Sequence, residues 1–248
     1  MGIATGNLLG LIQSWGANLA GVGDLSVGFD RASLCDEFRH FSRVISIAAR
    51  CAKPDSPNWI DQEESVHHQQ MIEYLDKNND AIATLNHIIK KTSKLIKISG
   101  YRYFALPPIH TADERKFSSV LYQRFTHRQG ATCAGLGWIG KSGMLINQDH
   151  GPNLVWATIL TNAPLEPSRP LTVSQCGDCS LCQSICPAQA IKGVIWQRSD
   201  AKAEILNIKA CGDYMMSNAP KFGRPVCGIC FMSCPTGRPA PKAALAAC

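Results

Sequence analysis

The residues of this chain best placed to do chemistry are cysteines. Among 248 residues there are 12, and nine of them lie between Cys176 and Cys248. The first run is Cys176-x2-Cys179-x2-Cys182-x3-Cys186-Pro187. Three thiolates spaced by two residues wrap three corners of one iron–sulfur cubane, and the fourth points away toward a second, as in bacterial two-cluster ferredoxins. The second run, Cys227-x2-Cys230-x3-Cys234-Pro235, is one cysteine short, and Cys211 is the nearby residue that can complete it. The spacing therefore predicts two [4Fe–4S] clusters. One is expected on Cys176, Cys179, Cys182 and Cys234, the other on Cys186, Cys211, Cys227 and Cys230. Zinc also suits Cys-x2-Cys pairs, but it needs neither a third cysteine two residues on nor the Cys-Pro endings. Such clustering argues against a disulfide scaffold and for a reducing compartment. Cys35, Cys51, Cys133 and Cys248 are left over; Cys133, between Thr132 and Ala134, reads as small-residue packing.

A second candidate is the loop Gly135-Leu136-Gly137-Trp138-Ile139-Gly140-Lys141-Ser142. It fits both G-x-G-x-x-G and G-x-x-x-x-G-K-[ST], yet both nucleotide motifs need a buried strand immediately before them. The preceding Arg128-Gln-Gly-Ala-Thr-Cys-Ala is poor in branched apolar residues. What survives is chemical: glycines expose backbone N–H groups and Lys141 adds a cation, a combination able to hold a phosphate or an amide-rich cofactor. The alternative is a tight turn that packs Trp138 inward.

The elements that must position these groups follow from periodicity. Leu8, Ile12, Trp15 and Leu19 fall at helical spacing and predict a buried first helix. Arg43-Val-Ile-Ser-Ile-Ala-Ala reads as a buried strand. Helices are expected over residues 62–77 and 80–98, the second with Ile82, Leu85, Ile89 and Ile96 as its core stripe and Gly100 as its stop. His67 and His68 read as a solvated helix face. Strands are expected at 101–106, at Met144-Leu-Ile and at Leu154-Val-Trp-Ala-Thr-Ile-Leu. Alternating helices and strands make a mixed α/β (α+β) domain over residues 1–162. Pro164, Pro167 and Pro170 mark a linker, and residues 171–248 form a cysteine-rich domain with a weak internal repeat.

Composition bounds the rest. With 45% hydrophobic and 18% charged residues the chain can build a real core, which excludes disordered and collagen-like classes. The formal charge of +6 counts cysteines as neutral; two anionic clusters would cancel most of it, so it names no partner. Residues 1–23 carry no charge but are interrupted by Asn7, Gln13, Ser14 and Asn18, unlike a secretory signal. With no run of ~20 apolar residues, a cytoplasmic protein without a membrane span is expected.

Taken together, Ala134-Gly-Leu-Gly-Trp-Ile-Gly-Lys141, Thr161-Asn-Ala-Pro-Leu165 and the two Cys-Pro runs resemble the epoxyqueuosine reductase and reductive dehalogenase superfamily. The resemblance implies a nitroreductase-like, cobalamin-binding type of α/β domain followed by a bacterial ferredoxin-like two-cluster domain. It implies electrons entering through the clusters and reducing cobalt, with Gly135, Leu136, Gly137, Trp138, Gly140 and Lys141 against the corrinoid. Two departures stand out. Epoxyqueuosine reductases carry a catalytic Asp shortly before the glycine loop, whereas the stretch Phe117-Ser-Ser-Val-Leu-Tyr-Gln-Arg-Phe-Thr-His127 has no carboxylate. The sequence also stops soon after Pro235, before the helical repeats expected to grip tRNA. Neither tRNA nor, without a twin-arginine signal, a respiratory substrate is expected.

Tyr101, Tyr103, His110, Tyr122 and His127 are chemically able to donate a proton, and His127 or Tyr103 is expected to face the cofactor. The leading reading is an iron–sulfur oxidoreductase with cobalamin, acting on a small molecule or a corrinoid protein and fed by a low-potential donor of ferredoxin or flavodoxin type. The rivals are an electron-transfer protein without a corrinoid and a reductive activator of a corrinoid methyltransferase using ATP at Lys141.

Overall fold

Strands β2 (Arg43–Arg50) and β6 (Leu154–Thr161) are the two apolar runs of the sequence, and they pair antiparallel along their whole lengths, Arg43 opposite Thr161 and Arg50 opposite Leu154. The computed structural model describes residues 3–26, 36–51, 63–108, 125–199 and 204–237. Both strands are buried on both faces, which explains their continuous rather than alternating hydrophobicity. β1 (Leu19–Asp24) adds to β2 and β3 (Tyr103–Leu106) to β6, giving a four-stranded antiparallel sheet of order β1-β2-β6-β3.

Side chains along a strand alternate between faces. Val44, Leu160 and Leu106 share one face with Phe38, Phe41, Phe125 and Cys133 in a single apolar cluster. That face is covered by α4 (His127–Cys133), whose Gly130 lies against Val44 and Thr158. Helices α1 (Thr5–Ser14) and α3 (Asn79–Ile98) take the other face. The predicted stripe of α3 is buried as expected, with Ala81, Ile88, Thr92 and Ser93 added. The first helix is shorter than its periodicity implied. It ends at Ser14, so Trp15 serves as its C-cap under the Lys91 ammonium, 4.9 Å from the ring, and Leu19 opens β1 instead.

The described residues gather into two compact units interleaved in sequence. One comprises Met1–Arg50, Asn79–Trp138 and Leu154–Thr172; the other Cys51–Asn78, Ile139–Asn153 and Val173–Cys248. The proline-rich segment expected as a linker is tied to the sheet unit. Ala163 and Leu165 are buried, Arg43 Nε donates to the Leu165 carbonyl at 2.7 Å, and Ser168 N–H donates to the Val22 carbonyl at 2.7 Å. Prolines limit the backbone, but they do not prevent such docking.

The cysteine-bearing unit is built from short pieces: α2 (Glu64–Lys77), α5 (Leu181–Ser184), α6 (Ile208–Ser217), α7 (Ala219–Phe222) and α8 (Ile229–Ser233); β4 (Trp138–Ile139), at the boundary of the two units in sequence, pairs with β5 (Leu145–Ile146). Asn207 caps α6 by accepting from the Ala210 N–H at 3.0 Å. Isolated bridges Val173–Gln197 and Ile191–Leu206 tie its loops. Among the described residues, no helix is long and apolar enough to cross a membrane.

Candidate functional site: two thiol quartets

The seven cysteines of the two runs and Cys211 form no disulfide and are half-buried. Their interactions centre on Cys182 and Cys230, with Cys182 also acting on Cys230. Burial pushes the Cys182 thiol up to about 11, reinforced by Cys176, Cys234 and Cys179. Burial also pushes Cys230 up to about 12, reinforced by Cys227, then Cys182, Cys211 and Cys186. Cys227 and Cys211 are raised as well, by burial first and then by neighbouring thiols. The charges that thiols repel in one another are those a bound metal neutralises, which is how a coordinating thiol comes to be deprotonated outright. The Ala190 N–H points at Cys186 Sγ from 3.4 Å, a hydrogen bond of the type that tunes cluster potentials. Among the described residues, no group of three His, Cys, Asp or Glu side chains is arranged to hold a single metal ion.

Helix α2 buttresses this site. Gly228, at φ +83° between Cys227 and Ile229, lies hard against Met71, and the Tyr74 ring is 4.7 Å from that of Phe231 on α8. His67 and His68, expected on a solvated face, are buried at 5% and 2% exposure. The His68 ring packs edge-on to Phe222 at 5.2 Å and near Tyr214 at 6.1 Å, and burial lowers its pKa against the opposing pull of Glu64. The polar sequence of α2 concealed this face because its partners are aromatic rings some 150 residues away. Tyr74 also bonds the buried Cys51 thiol, and burial raises its phenol pKa strongly.

The glycine loop divides its tasks. Gly135, at φ +71°, follows the C-cap of α4: its N–H donates to Thr132 and that of Leu136 to Ala131, at 3.3 and 2.9 Å. This is a Schellman motif. A Cβ on Gly135 would strike the Arg169 carbonyl. The helix itself had a sequence signal that periodicity missed, the capping box Thr126-x-x-Gln129, in which both reciprocal bonds form. A helix, not a strand, thus precedes the loop, against both nucleotide motifs. Trp138 packs inward at 4% exposure.

Further along, the Gly140 N–H donates to Met144, and a Cβ there would meet Ile146 and lie 3.4 Å from Cys176 Sγ. Lys141 is buried, and its ammonium donates to the carbonyls of Gly177 and Cys179 at 2.8 and 2.9 Å. The loop donors at 135, 136 and 140 and the Lys141 cation, expected to face a cofactor, are engaged within the protein.

No family model matches the chain. It is 40% identical over 82 residues to the epoxyqueuosine reductase of Synechocystis sp., 29% of this chain and 28% of that one. To the Yersinia pestis epoxyqueuosine reductase it is 30% identical over 135 residues, 53% and 33% of the two chains. The matched regions span a third or less of these curated relatives. Epoxyqueuosine reductase solved with an epoxyqueuosine-modified tRNA-Tyr stem loop superposes with a TM-score of 0.59 at 17% identity, over 94% of this chain and 64% of that one. A reductive dehalogenase described as B12-dependent gives 0.60 at 15%, over 93% and 32%. The chain resembles the epoxyqueuosine reductase and reductive dehalogenase superfamily.

Within that superfamily frame, the two candidate proton donors part company. His127 opens α4, with Nδ1 2.8 Å from Thr158 Oγ1 and a second bond to the Pro107 carbonyl. Burial lowers its pKa to about 4. Tyr103 is exposed and pairs opposite Thr161, while Leu106 pairs opposite Thr158. Thr158 and Thr161 are three positions apart, so Tyr103 projects from the opposite face of the sheet to His127. Residues 117–124, where epoxyqueuosine reductases would carry the catalytic Asp, lie outside the described residues, as do Cys35, His110, Tyr122 and Cys248.

Proposed function

We propose that this chain is an iron–sulfur oxidoreductase that passes single electrons through two [4Fe–4S] clusters to a small molecule or a corrinoid protein. The observation that carries it is the proximity of eight thiols, Cys182 beside Cys176, Cys234 and Cys179, and Cys230 beside Cys227, Cys182, Cys211 and Cys186. The donor set is all thiol, eight in number, and fits two cubanes. When bound, such clusters supply one-electron transfer at low potential. The reading is supported by curated relatives named as reductases. It assigns residues 1–162 to a nitroreductase-like domain and 171–248 to a ferredoxin-like one, fed in the cytoplasm by a ferredoxin- or flavodoxin-type donor.

Within the chain, Ala190 would hold Cys186 Sγ by its N–H, and α2 would keep water from the Cys227 side through Met71 and Tyr74. Cobalamin is implied by likeness to a B12-dependent dehalogenase. The loop residues assigned to it do not fit as a cradle, since three of their N–H groups and the Lys141 ammonium already have partners. That same engagement favours a second reading, an electron-transfer protein without a corrinoid.

Anaerobic purification with iron, sulfide and cobalt analysis tests these readings. About eight irons and eight sulfides support the proposal; a colourless, zinc-loaded protein overturns it. Retention of added cobalamin through gel filtration supports the corrinoid branch, and its loss supports the electron-transfer branch.

A further inference from the structure

Lys141 is 7% exposed. Its ammonium is held by two backbone carbonyls, and among the described residues no carboxylate pairs with it. Removing an ammonium from water costs several kcal/mol unless opposite charge offsets it. Two neutral carbonyls do so only in part. Both belong to the four-residue turn between Cys176 and Cys179, and Gly140, the preceding residue, is the one packed at Cys176 Sγ. The missing anion thus has a place: the thiol quartet beside the ammonium.

We infer that Lys141 is the fixed counter-charge of the Cys176, Cys179, Cys182 and Cys234 site, holding its first turn and raising the reduction potential of the cluster bound there. The inference rests on the two-cluster reading. A thiolate-bound [4Fe–4S] unit is anionic and gains one further negative charge on one-electron reduction. A buried cation beside it therefore favours the reduced form, and low local polarity enlarges the effect. The second quartet has no part in this contact, so the two clusters become electrostatically distinct.

The test is an anaerobic redox titration followed by electron paramagnetic resonance, with iron and sulfide content, on the full-length reconstituted protein and its K141Q, K141M and K141R variants. K141Q removes the charge and keeps a hydrogen-bond donor. With about eight irons retained, it should lower the midpoint of one cluster and leave the other unmoved. K141M should do the same, and K141R should restore the wild-type midpoint. Unmoved midpoints in K141Q at full iron content overturn the inference and leave the two-cluster reading standing. If K141Q loses about half its iron, K141R decides: recovered iron with the wild-type midpoint supports the counter-charge, and equal loss in both overturns it. Wild-type protein without clusters overturns the reading and the inference together.

Discussion

The His127 imidazole and the Thr158 hydroxyl meet at 2.8 Å, joining the first turn of α4 to the middle of β6. The Pro107 carbonyl can only accept, so the ring donates there. A histidine held neutral in this way links three chain segments.

The pH consequence has a definite sign. His127 titrates near 4 when folded and near 6.5 when unfolded, so between those values the unfolded chain binds more protons. The stabilisation is fully present above pH 6.5 and is lost as pH falls toward 4. It amounts to at most about 3 kcal/mol. Urea unfolding of the wild type should weaken across this window, and H127Q should flatten the dependence. Equal slopes for the two proteins would refute the assignment.

Gly135 and Gly100 both have positive φ, +71° and +85°, but only Gly135 faces a wall, the Arg169 carbonyl. G100A should cost about 1 kcal/mol from backbone strain alone. G135A should cost about 2–3 kcal/mol or more, since strain and collision add. Denaturation midpoints of the two variants give the difference directly, and equal losses would mean that the Arg169 approach is relaxed.

Cys182 interacts with Cys176, Cys234 and Cys179, and Cys230 with Cys227, Cys182, Cys211 and Cys186, whereas Cys133 is buried in the apolar cluster under the sheet. C182S and C230S should each fall from about eight irons to about four, while C133A keeps about eight and loses only packing. Iron analysis after anaerobic reconstitution distinguishes them. Full iron in C182S would remove it from the ligand set.

The contact of Gly228 with Met71 sets a further expectation. G228A should displace Met71 and the Cys227 turn together, lowering iron toward about four per chain. Adding M71A to G228A should recover part of that iron by making room. No recovery would assign the loss to the φ of +83° alone.

Tyr103 begins β3 at the sheet margin with 38% exposure. Y103F should therefore change stability by no more than about 0.5 kcal/mol in thermal or urea unfolding. A loss above 1 kcal/mol would show that its hydroxyl has an interior partner.

Much of this protein was legible residue by residue. Cysteines two or three positions apart are a local pattern, and the β-branched runs of β2 and β6 announce buried strands, because both depend on neighbours in the chain. The glycine loop was legible as a feature but not as a function. Gly135 terminates a helix whose capping box is local, yet the reason it tolerates no side chain is the carbonyl of Arg169, 34 residues on. The burial of His67 and His68 was hidden for the same reason, since a polar helix declares its buried face only through the rings it meets.

The amino-acid order alone determined which sulfurs are spaced for cubanes and which segments form the sheet, since those properties are set by bond lengths and side-chain period. Only the tertiary structure decided what Lys141 does. Its partners lie 36 and 38 residues away, and a long flexible ammonium carries no mark in its own sequence of the carbonyls that folding brings to it.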